Sequence, residues 1–206
     1  MGESRESFPL FPLGMVLLPS EMVQLHIFEE RYKLMIGECL DRDGEFGIVW
    51  LSDERLHEIG CTASVNDVLE RFDDGRMNIL VAGGRPFRLR RRVDDLPYPA
   101  GDIELVELAD GPGSPELATE AQQRYADLVE RVTDERPAAD MLERLDAFAM
   151  AGTIEFKPAE KQRLLELASE DERLRMVSDL FATTVRRLDE SEEAAEAAQS
   201  NGHVRR

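Results

Sequence analysis

The chain has 206 residues, 42% of them hydrophobic and 33% charged, with a formal net charge of -18; this suits one large or two small soluble domains and excludes a wholly disordered chain. So acidic a surface repels phosphate backbones at long range, which makes nucleic acid a poor first assignment. Apolar stretches such as Met15-Val16-Leu17-Leu18 fall far short of the roughly 18 residues that a membrane-spanning helix needs.

Leu10 to Leu18, with Pro12 and Gly14 inside it and Pro9 just before, suits a short edge strand followed by a bend. Val23, Leu25 and Ile27 alternate with Gln24 and His26, the period-2 pattern of a half-buried strand. One helix follows, because Tyr32, Met35, Ile36, Cys39 and Leu40 form a single apolar stripe that Asp41 to Gly44 ends. Phe46 to Leu51 reads as a strand covered on both faces. Cys61 to Phe72 and Arg76 to Val81 read as a long hairpin around Asp73-Asp74-Gly75, since Asp-Gly supplies the backbone angles of a tight turn. Phe87 to Val93 and Asp102 to Leu108 are further strands. Six or more strands with one inserted helix and no βαβ rhythm predict an α+β fold with a closed or partly closed mixed barrel.

Gly111-Pro112-Gly113-Ser114-Pro115 is a breaker cluster, with Ser114 and Pro115 suited to start a helix. It divides an expected β-rich subdomain, 1–110, from a helical one, 114–189. Leu117, Ala121, Leu128, Val129 and Val132 recur at helical spacing, as do Met141, Leu142, Leu145, Phe148 and Ala149. A third helix starts at Pro158 and carries Leu164, Leu165 and Ala168. Ser169 to Glu172 forms a capping box for a fourth, with Leu174, Val177, Phe181, Thr184, Val185 and Leu188 inward. Four such helices predict a C-terminal bundle. The acidic tail, 190–206, is expected to prolong the last helix and to fray from Ser200.

Cys39 and Cys61 cannot make a disulfide framework, and Met1 to Phe8 lacks the apolar core of a secretory signal; a cytoplasmic setting is expected. His26, His57 and His203 are scattered, so no spacing resembles a zinc site, and neither metal nor cofactor is expected. The chain contains no phosphate-binding Gly-x-x-x-x-Gly-Lys-Ser/Thr loop, and Gly75 to Gly84 lies in a hairpin. A Ser/Lys nucleophilic pair would have to use Lys33, Lys157 or Lys161. Lys157 and Lys161 open a helix expected to be exposed, where they read as solvated charges. Glu29-Glu30 and Asp73-Asp74 likewise read as solvated rather than cation-binding. Catalysis is therefore not expected. Alternation places Arg88, Arg90 and Arg92 on one strand face opposite Phe87, Leu89 and Val93, a solvated face in preference to an RNA site.

Pro9-Leu10-Phe11-Pro12-Leu13, Ile27-Phe28-Glu29-x-Arg31-Tyr32, Glu58-Ile59-Gly60-Cys61-Thr62-Ala63, Asp74-Gly75-Arg76 with Val81-x-Gly83, and Lys161-Gln162-x-Leu164-Leu165-Glu166 followed by Arg173-Leu174 together resemble the amino-terminal, substrate-binding LON domain of Lon ATP-dependent proteases, in stand-alone form. The likeness runs from about Phe8 to Leu188. Ser20 replaces a usual glycine, Glu30 a common proline and Pro86 a frequent arginine. The resemblance implies a PUA-like pseudo-barrel plus a helical bundle, and a non-catalytic module that engages unfolded polypeptides or a protease partner. PUA-like barrels also hold RNA, which keeps RNA binding as the alternative.

Gripping unfolded chains takes a groove with exposed apolar side chains. Phe28, Arg31, Trp50 and Phe72 are the candidate contacts, the first two flanking the helix start and the others near strand ends. Core burial is the competing expectation for Trp50 and the phenylalanines, while Tyr32 is assigned to the core. Gly60, Gly75 and Gly83 are expected at turns or bulges.

Overall fold

A computed structural model of the chain describes residues 3–53, 55–108, 111 and 113–202, with side chains through residue 195. The chain divides into two compact units, Met1–Asp110 with Ala151–Ala168 and Gly111–Met150 with Ser169–Arg206. Of the breaker cluster, Pro112 lies outside the described residues, as do Asp110 at the expected boundary and His203 in the tail.

The first unit carries β1 (Ser4–Leu13), β2 (Met22–Ile27), α1 (Glu30–Arg42), β3 (Phe46–Ser52), β4 (Arg55–Arg71), β5 (Met77–Val93) and β6 (Ala100–Leu105). The strands form one mixed sheet in the order β2-β5-β4-β3-β1-β6, and a further β5–β6 pairing closes the circuit β5-β4-β3-β1-β6. Among the described residues, only β1 and β3 run parallel. The fold class is thus α+β, as the patterns predict.

β1 is longer than the edge strand expected from Leu10 and has a neighbour on each side, but at different residues. It is paired to β6 through Ser4 to Pro9 and to β3 through Leu10 to Leu13. Each stretch is therefore bonded on one side only, so Pro9 and Pro12 need not supply donors to both neighbours. The two strands expected on either side of Pro86 are one continuous β5. Pro86 sits opposite Cys61, next to a register shift between Cys61 and Ala63, where a residue without an N–H costs the ladder least. At the hairpin turn Gly75 has φ +81 and donates its N–H to Phe72 O at 2.9 Å. Gly83 borders the register shift between Cys61 and Ala63, as expected of a bulge position, and a Cβ there would also lie 2.0 Å from the Leu18 carbonyl oxygen. Ser20, where the resemblance implies a glycine, is held at φ +64, in the left-handed region.

Phe8, Leu10, Val49, Phe87, Ile103 and Leu105 form one core cluster, with Phe8 meeting Phe87 edge to face at 6.1 Å. Tyr32 is buried, as expected, against Phe11 at 4.1 Å. Cys39 and Cys61 are both buried, and burial pushes the Cys39 thiol up to about 11 and Cys61 higher still. Tyr98, in the loop before β6, donates a hydrogen bond to Glu38 of α1 at 2.8 Å. Burial first, then that bond, push its phenol up to about 12.

The expected third helix of the C-terminal bundle, α5 (Pro158–Glu166), belongs instead to the β-rich unit. Gln162 Nε2 donates to Ile59 O of β4 at 3.2 Å and to Glu166 at 2.8 Å. Lys161 is not solvated. Its side chain, 12% exposed, pairs with Glu21, 6% exposed, whose other oxygen accepts the Leu18 N–H at 2.9 Å. The packing face of α5 points at the sheet, and an amphipathic pattern cannot say which neighbour covers it.

The second unit contains α2 (Pro115–Thr133), α3 (Ala139–Leu142), part of α4 (Ala147–Gly152) and α6 (Glu170–Gly202). The second bundle helix is thus two short ones. Asp146 accepts the Ala149 N–H at 2.7 Å, and this cap starts a new helix where the spacing suggests continuation. Met141 and Val132, members of the apolar series at helical spacing, are exposed. The Ser169–Glu172 capping box forms, and α6 packs on α2 through Tyr125 and Phe181 at 5.6 Å. Arg173 pairs with Glu170 at 2.9 Å, both nearly fully buried, and Glu170 also accepts the Ala147 N–H. α6 continues through Gly202; the last four residues of the tail lie outside the described ones.

Two stability outcomes follow from the first unit. Lys161→Met strands the Glu21 carboxylate in a buried position and is expected to lower unfolding free energy by about 3 kcal/mol, read from urea denaturation, whereas Lys161→Met with Glu21→Gln recovers part of the loss. The raised Tyr98 phenol favours the neutral form in the folded state, so its contribution is present below pH 10 and disappears as pH rises towards about 12. Tyr98→Phe should be less stable than the parent at pH 8, with the gap in urea midpoints closing as pH rises through that window.

Candidate functional site

Two accessible features of the β-rich unit join apolar surface to charge. The first is at the tip of the β4–β5 hairpin. Lys33 of α1 donates from Nζ to Asp74 O at 2.8 Å, which ties the tip to the helix start and brings Phe28 and Phe72 into one patch. Phe28, 59% exposed, stacks on His26 with ring centroids 5.8 Å apart. His26 meets the edge of Phe72 at 6.2 Å, and the Arg76 guanidinium lies 5.0 Å from the Phe72 ring centre. The Arg76 backbone N–H, then its side chain, hold the Asp74 carboxyl below the usual range.

The second is a cleft of about 400 Å³ with Leu10 buried in it, Leu51 and Leu56 beside it, and the Leu96 to Pro99 loop as another wall. Arg31, Arg92 and Asp94 also line it. Arg31 is engaged by Glu29 at 2.7 Å and lies over the Tyr32 ring at 4.6 Å. Arg92 makes no ion pair or side-chain hydrogen bond among the described residues.

Arg92 reaches the cleft because of a bulge. Between Leu89↔Ile103 and Arg91↔Asp102, β5 advances two residues while β6 advances one. The extra residue inverts the alternation beyond it. Arg88, Arg90 and Arg92 therefore do not share a face as the pattern predicts. Arg88, Arg90 and Arg91 pair with Glu58, Glu104 and Asp102, while Arg92 falls opposite Gly101, whose Cβ position would touch Leu89 and Leu10. That is the inward side of the sheet, at its rim.

The four residues chosen from sequence do not make one site. Phe28 and Phe72 meet through His26; Arg31 lies in the cleft; Trp50 is half-buried and stacks on His57 at 4.3 Å, outside both features. His26, Arg76, Leu51, Leu56 and Arg92 are the contributors that sequence reasoning missed. Among the described residues, no three His, Cys, Asp or Glu side chains group as metal ligands would, and no helix is long and apolar enough to cross a membrane.

The architecture has solved counterparts. The structure is similar to the Lon N-terminal domain protein from Xanthomonas campestris, with TM-score 0.65 and 24% identity over 83% of this chain and 96% of that one. It is also similar to the N-terminal domain of the Mycobacterium avium complex Lon protease, with TM-score 0.67 and 22% identity over 87% of this chain and 98% of that one. In sequence it is 24% identical over 207 residues to the Lon protease of Paraburkholderia phytofirmans, covering 92% of this chain and 25% of the relative. The chain thus spans about a quarter of that relative's length. A mixed sheet with helices of this kind, the likeness to two Lon N-terminal domains, and a match over residues 7–183 to the ATP-dependent protease La (LON) substrate-binding domain lead to one conclusion: the chain belongs to the LON substrate-binding domain family.

Proposed function

We propose that the chain is a non-catalytic recognition module that engages apolar segments of unfolded polypeptides and presents them to a protease partner. The observation that carries this reading is the cleft, which combines an apolar lining of Leu10, Leu51 and Leu56 with charged residues. Unfolded chains differ from folded ones chiefly in displaying hydrophobic residues, and a concave apolar surface within polar surroundings selects for that difference. The exposed Phe28 and the half-exposed Phe72 extend apolar surface at the hairpin tip, giving a second contact for a long flexible ligand and hence avidity without a tight single pocket. Family membership supports the substrate-recognition role, and a Lon-like protease is the natural partner to supply ATP-driven work and peptide cleavage. A PUA-like description of the closed strand circuit fits the same reading.

RNA binding draws less support. Three of the four arginines in the cationic stretch of β5 are paired to carboxylates, which neutralises the charge that phosphates would seek.

The test is retention of a permanently unfolded model polypeptide, reduced and carboxymethylated α-lactalbumin, against its native form. The unfolded form should bind. Leu51→Asp, at a 40% exposed position, should weaken binding about tenfold, and Phe28→Ser should weaken it less. Equal retention of the folded form, or of the unfolded form by a charge-matched unrelated protein, sinks the proposal.

A further inference from the structure

The geometry points to a specific ligand class for the cleft: a polypeptide C-terminus with an apolar last residue, its side chain against Leu10, Leu51 and Leu56 and its carboxylate on Arg92. The inference rests on the polypeptide-recognition reading above and narrows it.

The first argument is charge complementarity. In the cationic stretch of β5, Arg88, Arg90 and Arg91 are each answered by a carboxylate. Arg92, the next residue on the same strand, has no ion pair among the described residues, and the bulge turns it towards the apolar cleft. Arg31 lines the same cleft with its charge already shared with Glu29. Asp94, also in the lining, opposes an anion and directs it to the arginine side. A guanidinium beside apolar walls binds a carboxylate by two parallel hydrogen bonds, strengthened where water is partly excluded.

The second argument is the geometry of the ligand. In an extended chain successive side chains point to opposite faces, so an internal apolar residue and its acidic neighbour cannot both enter one cleft. The next residue on the same face lies roughly 6.6 Å further along the chain. At a C-terminus the apolar side chain and the carboxylate belong to the same residue and can enter together. A cleft that sets arginine beside leucine walls therefore fits a chain end better than a passing segment.

The experiment uses the full chain and fluorescence anisotropy of an N-terminally labelled peptide ending in alanine-leucine, as the free acid and as the C-terminal amide. The free acid is expected to bind at least about tenfold more tightly than the amide. Arg92→Gln should bring the acid down to the amide's affinity without changing the amide's, and Arg31→Gln should reduce the preference in part. Arg92 is exposed, so its replacement should leave the thermal melt unchanged. Acid and amide binding alike overturns the C-terminus inference, as does an amide peptide with an internal aspartate that binds as tightly as the acid, or an acid preference that survives Arg92→Gln. Failure of both peptides also overturns it, while retention of unfolded α-lactalbumin decides the broader reading separately.

Discussion

β5 is the strand on which the rest of the first unit depends. Its first half is bonded to β2 and β4, and its second half to β4 and β6, so one uninterrupted stretch belongs both to the projecting hairpin and to the closed circuit of strands. Such a strand must bend and twist more than a flat ladder allows, and bulges are the means. Register shifts accordingly occur along β4 and β5 and again between β5 and β6. One of them accommodates Pro86. Another delivers Arg92 to the cleft. The local irregularity that closes the sheet is thus the one that gives its rim a cation.

Buried charge plays a matching part in each unit. Glu21 accepts the Leu18 N–H and meets Lys161; Glu170 accepts the Ala147 N–H and meets Arg173. In both cases a carboxylate joins a backbone donor to a cation from a helix, with few lone pairs left unanswered. Such arrangements add little net stability over apolar packing, but losing one member is costly. Glu21 thereby joins the start of β2 to α5, and Glu170 joins the start of α4 to α6.

Much of the fold was legible in sequence because it rests on local rules. The stripe Tyr32, Met35, Ile36 and Cys39 is the buried face of α1, Asp-Asp-Gly is the turn, and Ser169 with Glu172 closes its capping box. The failures are non-local. A period-2 pattern carries no sign of a bulge, so it does not show where the alternation of β5 inverts. The apolar face of α5 was visible, but not that β4 covers it. The candidate site suffered similarly. Phe28 stands out because an aromatic at a helix entry has few neighbours to hide it, whereas Trp50 was indistinguishable from an accessible side chain until His57, seven residues on and across a turn, stacked against it. Leu51 and Leu56 read as ordinary strand residues, and only the three-dimensional path of the chain shows them to flank a cleft.

The path of the chain between the units has a consequence for inheritance. The polypeptide leaves the sheet-bearing unit near the Gly-Pro cluster, returns for Ala151–Ala168, and departs again. A gene fragment cut at the first departure would encode all six strands but omit the lysine that neutralises Glu21 and the amide that engages Ile59. Recombination can therefore move this sheet intact only as a cassette reaching at least to Ala168, with α2 and the short helices after it carried along as passengers.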